Sequence, residues 1–208
     1  MTGPDDGAAP RRKRGRAIAV VVAGLPATGV LVGGLWAWIA PAIHGAVALT
    51  RDGDRVFDYL GSESEQFFVA AVVMMGLSNV LAAVAAALVW QWRAHRGPYM
   101  VAGLCVGMIL AAAAAAGVGA LLVHLRYGAL DIATAPVTPQ NQVYYVTEAP
   151  PVFFGHTPLQ IACTLLLPAA TAALVYAVPA AAAVRDDLGG YPAVDSPALP
   201  AAVTAGSS

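Results

Sequence analysis

Charge is what this chain has least of. From Ala17 to Thr50 there is no Asp, Glu, Lys or Arg, and the same holds for Gln66–Trp92, Gly97–Leu125 and Ala149–Val184. Charged residues make up 11% of the sequence, against roughly 25% in globular domains. A single soluble domain with a charged shell is thereby excluded. There is no excess of either sign, because the net charge is -1, and no global field recruits nucleic acid or a polyanionic substrate. Cysteine is nearly absent: Cys105 and Cys163 are the only two. On the topology derived below their depths differ by more than about 10 Å at 1.5 Å per residue. That exceeds the roughly 7 Å limit between Cα atoms for a disulfide, so both read as apolar fillers.

What the chain has in quantity is apolar length, with 59% of residues hydrophobic. About twenty apolar residues in a helix cross a hydrocarbon core of about 30 Å. Each bare run suffices for one crossing. Proline and glycine sharpen the ends, giving helices at Ala17–Ala40, Gln66–Trp92, Pro98–His124 and Pro158–Val184. The predicted fold is an all-α membrane protein, a four-transmembrane-helix bundle over residues 17–184. Its outer loops are 41–65 and 125–157, and its inner loop is 93–97. Spanning strands are excluded, since about ten residues would suffice for each and they would alternate lipid-facing with lumen-facing side chains. No such alternation is present.

Arg and Lys flank the runs unevenly. With both termini in the cytoplasm, eight of the 11 basic residues lie inside, and Arg51, Arg55 and Arg126 lie outside. The positive-inside rule selects that orientation and predicts a multi-pass protein of the inner (plasma) membrane. The basic run Arg11–Arg16 reads as the determinant of this topology rather than as a nucleic-acid patch. The apolar stretch behind it is longer than the 7 to 15 residues of a signal h-region, so the first helix is expected to stay attached. Tryptophans support the assignment: Trp36 and Trp38 close the first helix on the outer side, and Trp90 and Trp92 close the second on the inner side, at the headgroup level. Residues 1–16 and 185–208, rich in Gly, Pro, Ala, Ser and Asp, are expected to be disordered cytoplasmic tails.

Small residues mark where such helices pack, because lipid competes equally for leucine and close backbone approach provides the attraction. Gly29 and Gly33, and again Gly103 and Gly107, have the GxxxG spacing, and Ala111–Ala116 continues the second face. Pro26, Pro168 and Pro179 are expected to bend their helices. Among mild polar residues in the spans, Thr28, Ser78, Asn79, Gln160, Thr164 and Thr171, Asn79 is the best candidate for an interhelical hydrogen bond. In the outer loops, Ala46–Arg51 and Asp54–Tyr59 flank Asp52-Gly53, suited to a tight turn, and Asn141–Val146 reads as another strand. A small extracytoplasmic β-hairpin cap follows.

No catalytic, cofactor-binding or metal site emerges, and no cofactor is expected. His44, His124 and His156 fall near the outer surface and could join Glu63 and Glu65, yet no short ligand spacing such as HExxH links them. His95 belongs to the inner loop. No ionisable residue sits at mid-depth, where one would mark a pump or channel.

The stretch Gly33-Gly34-Leu35-Trp36-Ala37-Trp38-Ile39-Ala40-Pro41 resembles an actinobacterial, mycobacterial-type family of small multi-pass membrane proteins of unknown function. The acidic loop through Glu63 and Glu65, and Arg96-Gly97-Pro98, carry the same resemblance, which covers nearly the whole chain except its tails. It implies a small multi-pass membrane protein and brings no known activity or catalytic residue. The leading functional expectation is a non-enzymatic accessory or scaffold component of the cell envelope. Its expected partners are membrane lipids and a membrane-protein partner or a second copy, not nucleic acid. The alternatives are a small transporter or oligomeric pore, and a membrane enzyme acting on envelope lipid precursors.

Overall fold

The computed structural model describes residues 8–128, 135–138 and 140–183, with side chains from residue 15 onward. In chain order the elements are helix α1 (Ala8–Ile39), strands β1 (Ile43–Leu49) and β2 (Arg55–Tyr59), α2 (Gln66–Gln91), α3 (Pro98–Tyr127), β3 (Val143–Glu148) and α4 (Pro158–Ala181). Short 3-10 turns at Glu63–Glu65 and Arg93–His95 precede α2 and α3. All four α-helices are long and apolar enough to cross a membrane.

Local chemistry explains the helix limits. Thr157 opens α4 with a capping box: its Oγ1 accepts from the Gln160 amide, and Gln160 Oε1 accepts from the Thr157 amide, which satisfies otherwise orphaned donors of the first turn. Pro98 opens α3 where a missing N–H costs nothing. Gly128, with φ of 73°, closes α3 by donating its N–H to the His124 carbonyl at 2.8 Å, a backbone conformation glycine adopts without penalty.

Three boundaries depart from the sequence reading, and one of them is the end of α4, which stops at Ala181 rather than Val184. Helix α1 begins at Ala8, so the basic run expected to be disordered is helical. Once a helix is nucleated, each added residue gains a hydrogen bond without a new nucleus, and Arg and Lys are good helix formers. The remainder of that tail and residues 185–208 lie outside the described residues. Helix α3 also runs past His124 to Tyr127, with the Arg126 guanidinium 5.2 Å from the Tyr127 ring.

The helices do not pack in chain order. Helix α1 lies along α3, α2 lies along α4, and α4 also contacts α3. The glycine spacings create the first pairing. A Cβ on Gly29 would collide with the backbone carbonyl of Ala111, and one on Gly33 with that of Ala115. From the other side, a Cβ on Gly103 would lie 2.7 Å from Ile18 Cγ2, and one on Gly107 2.7 Å from Leu25 Cδ1. Both GxxxG pairs therefore meet in one interface, where backbone approaches backbone.

The α2–α4 pairing carries the polar contact. Thr171 Oγ1 donates to Asn79 Oδ1 at 2.6 Å, while Asn79 Nδ2 donates to the Met75 carbonyl at 2.8 Å. Ser78, the buried polar side chain, returns its hydroxyl to the Met74 carbonyl at 2.9 Å. Thr171→Val is expected to destabilise the fold by about 0.6 to 1.7 kcal/mol, the range for single interhelical hydrogen bonds. Detergent-titrated unfolding followed by circular dichroism measures it.

The β element is larger than a hairpin. Strand β1 is central in a three-stranded antiparallel sheet of order β2-β1-β3. Gly45 pairs with Tyr59 on one side and Val146 on the other. The Asp52-Gly53 turn is where the sequence placed it: Gly53 has φ of 87°, and Thr50 and Asp54 close the turn through the Thr50 N–H and the Asp54 carbonyl at 2.8 Å. Alternation along β1 buries Ile43, Gly45 and Val47, and Val47 packs with Ala135, Val137, Phe57 and Val146. The observed strands differ from the expected ones because the alternation that selects the buried face begins at Ile43 rather than Ala46.

Trp36 also corrects an expectation. Its neighbour Trp38 is exposed, but Trp36 is fully buried, and its indole N–H donates to the Ala70 carbonyl of α2 at 2.8 Å. It is a core anchor between helices rather than an interfacial belt residue. The helical period decides this, since two residues on is about 200° round the helix and so on the other face.

Candidate functional site

The described carboxylates, with His44, His124 and His156, gather at the end of the bundle that carries the sheet. His44 sits on β1 and points to the side opposite Ile43 and Gly45, because successive side chains alternate. Its Nδ1 and its backbone N–H both lie 3.1 Å from Glu63 Oε2. One carboxylate oxygen thus ties the central strand to the turn that opens α2. Glu65 ends the same turn and is exposed.

On the opposite face of the sheet, where Tyr59 of β2 pairs with Gly45 and Glu148 of β3 with Ile43, Tyr59 donates its hydroxyl to Glu148 Oε2 at 3.2 Å. Burial, the Glu148 charge and that hydrogen bond together raise the Tyr59 pKa above its usual value. Tyr59 also joins an edge-to-face series, with its ring centroid 4.9 Å from Phe57 and 5.2 Å from Phe67 at the start of α2. Gly45 makes room for it: a Cβ there would lie 2.5 Å from the Phe57 ring. The sheet is fastened to α2 by the Tyr59–Phe67 ring contact and to the turn before α2 by the Glu63 carboxylate, while the Glu148 carboxylate ties its two edge strands to each other. The sequence reading overlooked Tyr59 and Glu148, for they lie 89 residues apart and only the pairing of both edge strands with β1 brings them together.

His124 and His156 occupy a different place. Both line a cavity of about 460 Å³ between the last turns of α3 and the segment leading into α4, with Val123, Val152, Phe153 and Ile161 as apolar wall. The five side chains considered for outer-face chemistry are therefore divided between the His44–Glu63 pair, exposed Glu65 and the two cavity histidines. Among the described residues, no three His, Cys, Asp or Glu side chains group closely enough to hold a metal ion. Three protein ligands are the minimum of a catalytic zinc site. Chemically, the cap end offers hydrogen-bonding side chains fastened to one another and an apolar recess edged by two imidazoles.

The opposite end holds an arrangement that the sequence also did not disclose. The Arg96 guanidinium lies 4.1 Å from the Trp90 ring centroid, and its Nε donates to the Trp90 carbonyl at 2.9 Å. Trp90 in turn meets buried Tyr176 of α4 edge to face at 5.0 Å, and the Tyr176 hydroxyl accepts from the Gly97 amide at 3.2 Å. This stack fixes the short connection between α2 and α3 against α4. Its members come from two distant segments, so spacing along the chain carried no sign of it. Both cysteines are free: Cys105 is half-buried, with its Sγ 3.8 Å from the Ala169 carbonyl, whereas Cys163, expected as an apolar filler, is exposed.

Comparison with known proteins finds mycobacterial relatives of the chain. The chain is 66% identical over 173 residues to the uncharacterized protein Rv1591 of Mycobacterium tuberculosis, covering 83% of this chain and 90% of that one. It is 60% identical over 177 residues to the uncharacterized protein ML1222 of Mycobacterium leprae, covering 85% and 89%. No solved structure matches. The family described as "Protein of unknown function (DUF2567)" matches residues 25–190, a span that takes in α2, α3, α4, the whole sheet and all of α1 beyond Gly24, and the chain belongs to that family.

Proposed function

We propose that this protein is a non-enzymatic accessory or scaffold component of the cell envelope. It is embedded in the plasma membrane by its four helices, keeps both termini in the cytoplasm and presents the three-stranded sheet on the outer face as a docking surface for an envelope protein. The membrane part of the reading is supported by the helix exteriors. Leu31, Leu125, Leu174 and Val178 are 72%, 72%, 68% and 64% exposed. Apolar surface of that extent around a helical bundle calls for an apolar solvent, and helices satisfy their own backbone within it. The charge asymmetry supports the orientation.

The scaffold part is carried by one observation, the outer edge of β3. Among the described residues β3 pairs with β1 alone, so its other edge offers unpaired backbone groups. Tyr145, at 69% exposed, stands on that strand beside exposed Val143 and Tyr144. An edge of this kind accepts an added strand: main-chain hydrogen bonds supply affinity, and rigid aromatic side chains supply contact area at low entropic cost. The His44–Glu63 and Tyr59–Phe67 contacts hold the sheet in place at the start of α2 and the Tyr59–Glu148 hydrogen bond joins its edge strands, which limits the ordering needed when a partner binds.

A photo-crosslinking amino acid placed at Tyr145 in the native host membrane tests this. A discrete protein adduct is expected from position 145, and lipid adducts alone from a control at Val178. Absence of any protein adduct at 145 argues against a docking role for the sheet. Release of the intact chain by alkaline carbonate, or a reporter placing either terminus outside the cell, removes the membrane and topology parts respectively.

A further inference from the structure

At the end of the bundle away from the sheet, a groove of about 480 Å³ separates the basic end of α1 from the turn that follows α2. Arg16, Ala17 and Val20 form one wall, and Trp92, Arg93 and His95 form the other. Its lining is two-part, cationic at Arg16 and Arg93 with an imidazole beside them, and apolar at Ala17, Val20 and Trp92. The apolar part opens sideways from the bundle, because Val20 and Trp92 are about half exposed. Unlike Arg96, which is held on Trp90, neither Arg16 nor Arg93 forms an ion pair among the described residues. The described carboxylates, Asp52, Asp54, Asp58, Glu63, Glu65 and Glu148, all belong to the sheet, its turn or the 3-10 turn at the other end. Among the described residues, two guanidinium groups therefore face one groove with no carboxylate beside them.

We propose that this groove binds the headgroup of an anionic glycerophospholipid, with the phosphodiester between Arg16 and Arg93 and an acyl chain laid along Val20 and Trp92. Guanidinium groups take phosphate oxygens in a two-pronged fork. Tryptophan belongs at the depth where headgroup meets acyl chain, and basic pockets between spanning helices suit anionic headgroups. A free phosphate ion would satisfy the arginines and leave the apolar wall uncovered, so a lipid is the occupant that matches both parts. The site rests on the membrane reading of α1 and α2 and is independent of any partner at the sheet.

The test titrates the full-length protein in neutral detergent with dioleoyl phosphatidylglycerol, dioleoyl phosphatidylcholine or inorganic phosphate, and counts bound lipid by native mass spectrometry. Phosphatidylglycerol is expected to bind about tenfold or more tightly than phosphatidylcholine, as one charge-assisted contact would provide. R16Q/R93Q should abolish that preference and R51Q/R55Q should keep it. R16K/R93K retains the charges that orient insertion, and should lose part of the preference because lysine cannot form the fork; it decides the matter if the glutamine variant fails to insert. Equal affinity for the two lipids overturns the proposal, as does a preference untouched by the arginine variants or displacement of lipid by equimolar phosphate. A preference appearing only in D186N/D187N, residues outside the described segment, assigns the groove to the chain's own tail and also overturns it. Failure of the membrane reading is seen separately, as release by alkaline carbonate.

Discussion

Replacing Gly33 with leucine is expected to destabilise the bundle by about 3 kcal/mol or more, at the upper end of what overpacking costs. The reason is the neighbour. A Cβ at Gly33 meets the backbone carbonyl of Ala115 rather than the tip of a flexible side chain, so α1 and α3 must separate along the interface for any side chain to enter. Gly29 faces the Ala111 carbonyl in the same way, and G29L should act alike. Separation would weaken dispersion contacts along the closest pairing in the fold, where lipid gives no hydrophobic compensation. Gly34 is the matched control. An added Cβ there meets nothing within 4 Å, and G34A is expected to be neutral or to stabilise by up to about 1 kcal/mol through helix propensity. Unfolding in a denaturing-detergent titration, followed by helical circular dichroism, separates the two outcomes. Equal stability of G33L and G34A would show that α1 does not lie against α3 as described.

The second large effect belongs to Trp36. Tryptophan-to-alanine truncation in a packed interior costs about 3 to 5 kcal/mol, and Trp36 is fully buried among Ala70, Met74, Ala115 and Ala116. Trp36→Ala should fall in that range. Trp36→Phe keeps most of the volume and removes the N–H that Ala70 accepts at 2.8 Å; it should cost about 1 kcal/mol, one neutral hydrogen bond. Trp38→Ala, at a site 77% exposed, should lie within about 0.5 kcal/mol of the parent. The same unfolding titration reads all three. A Trp36→Ala loss no greater than that of Trp38→Ala would place Trp36 at the surface, in the belt where its position near the helix end first suggested it.

These two residues also show how far the sequence could be read. That Gly29, Gly33, Gly103 and Gly107 marked interfaces was visible in their spacing, but their joining in one interface was not. Spacing identifies a face of small residues without naming the helix it meets. Asn79 was legible as an interhelical donor or acceptor because a polar side chain in an apolar run needs a partner, while Thr171 as that partner depended on α2 lying along α4. At the cap, Asp52-Gly53 announced its turn, whereas β3 as the far edge of the sheet required a contact across about a hundred residues of chain. Of the side chains considered for the outer face, His124 and His156 share a cavity and His44 meets Glu63, an adjacency that follows from β1 running up to the turn before α2. The helical extension through Arg11–Arg16 was missed for another reason, since composition was weighed there and continuation of an established helix was not.

Four helices long enough to span a membrane follow from the sequence by itself, because that property counts consecutive apolar residues and compares their length with one fixed thickness. Which helix lies against which was settled only in three dimensions. The spans are apolar on nearly every side, so no hydrophobic stripe selects a partner face, and the choice falls to shape: where glycine lets two backbones touch, where one tryptophan fits, and where one threonine reaches an asparagine.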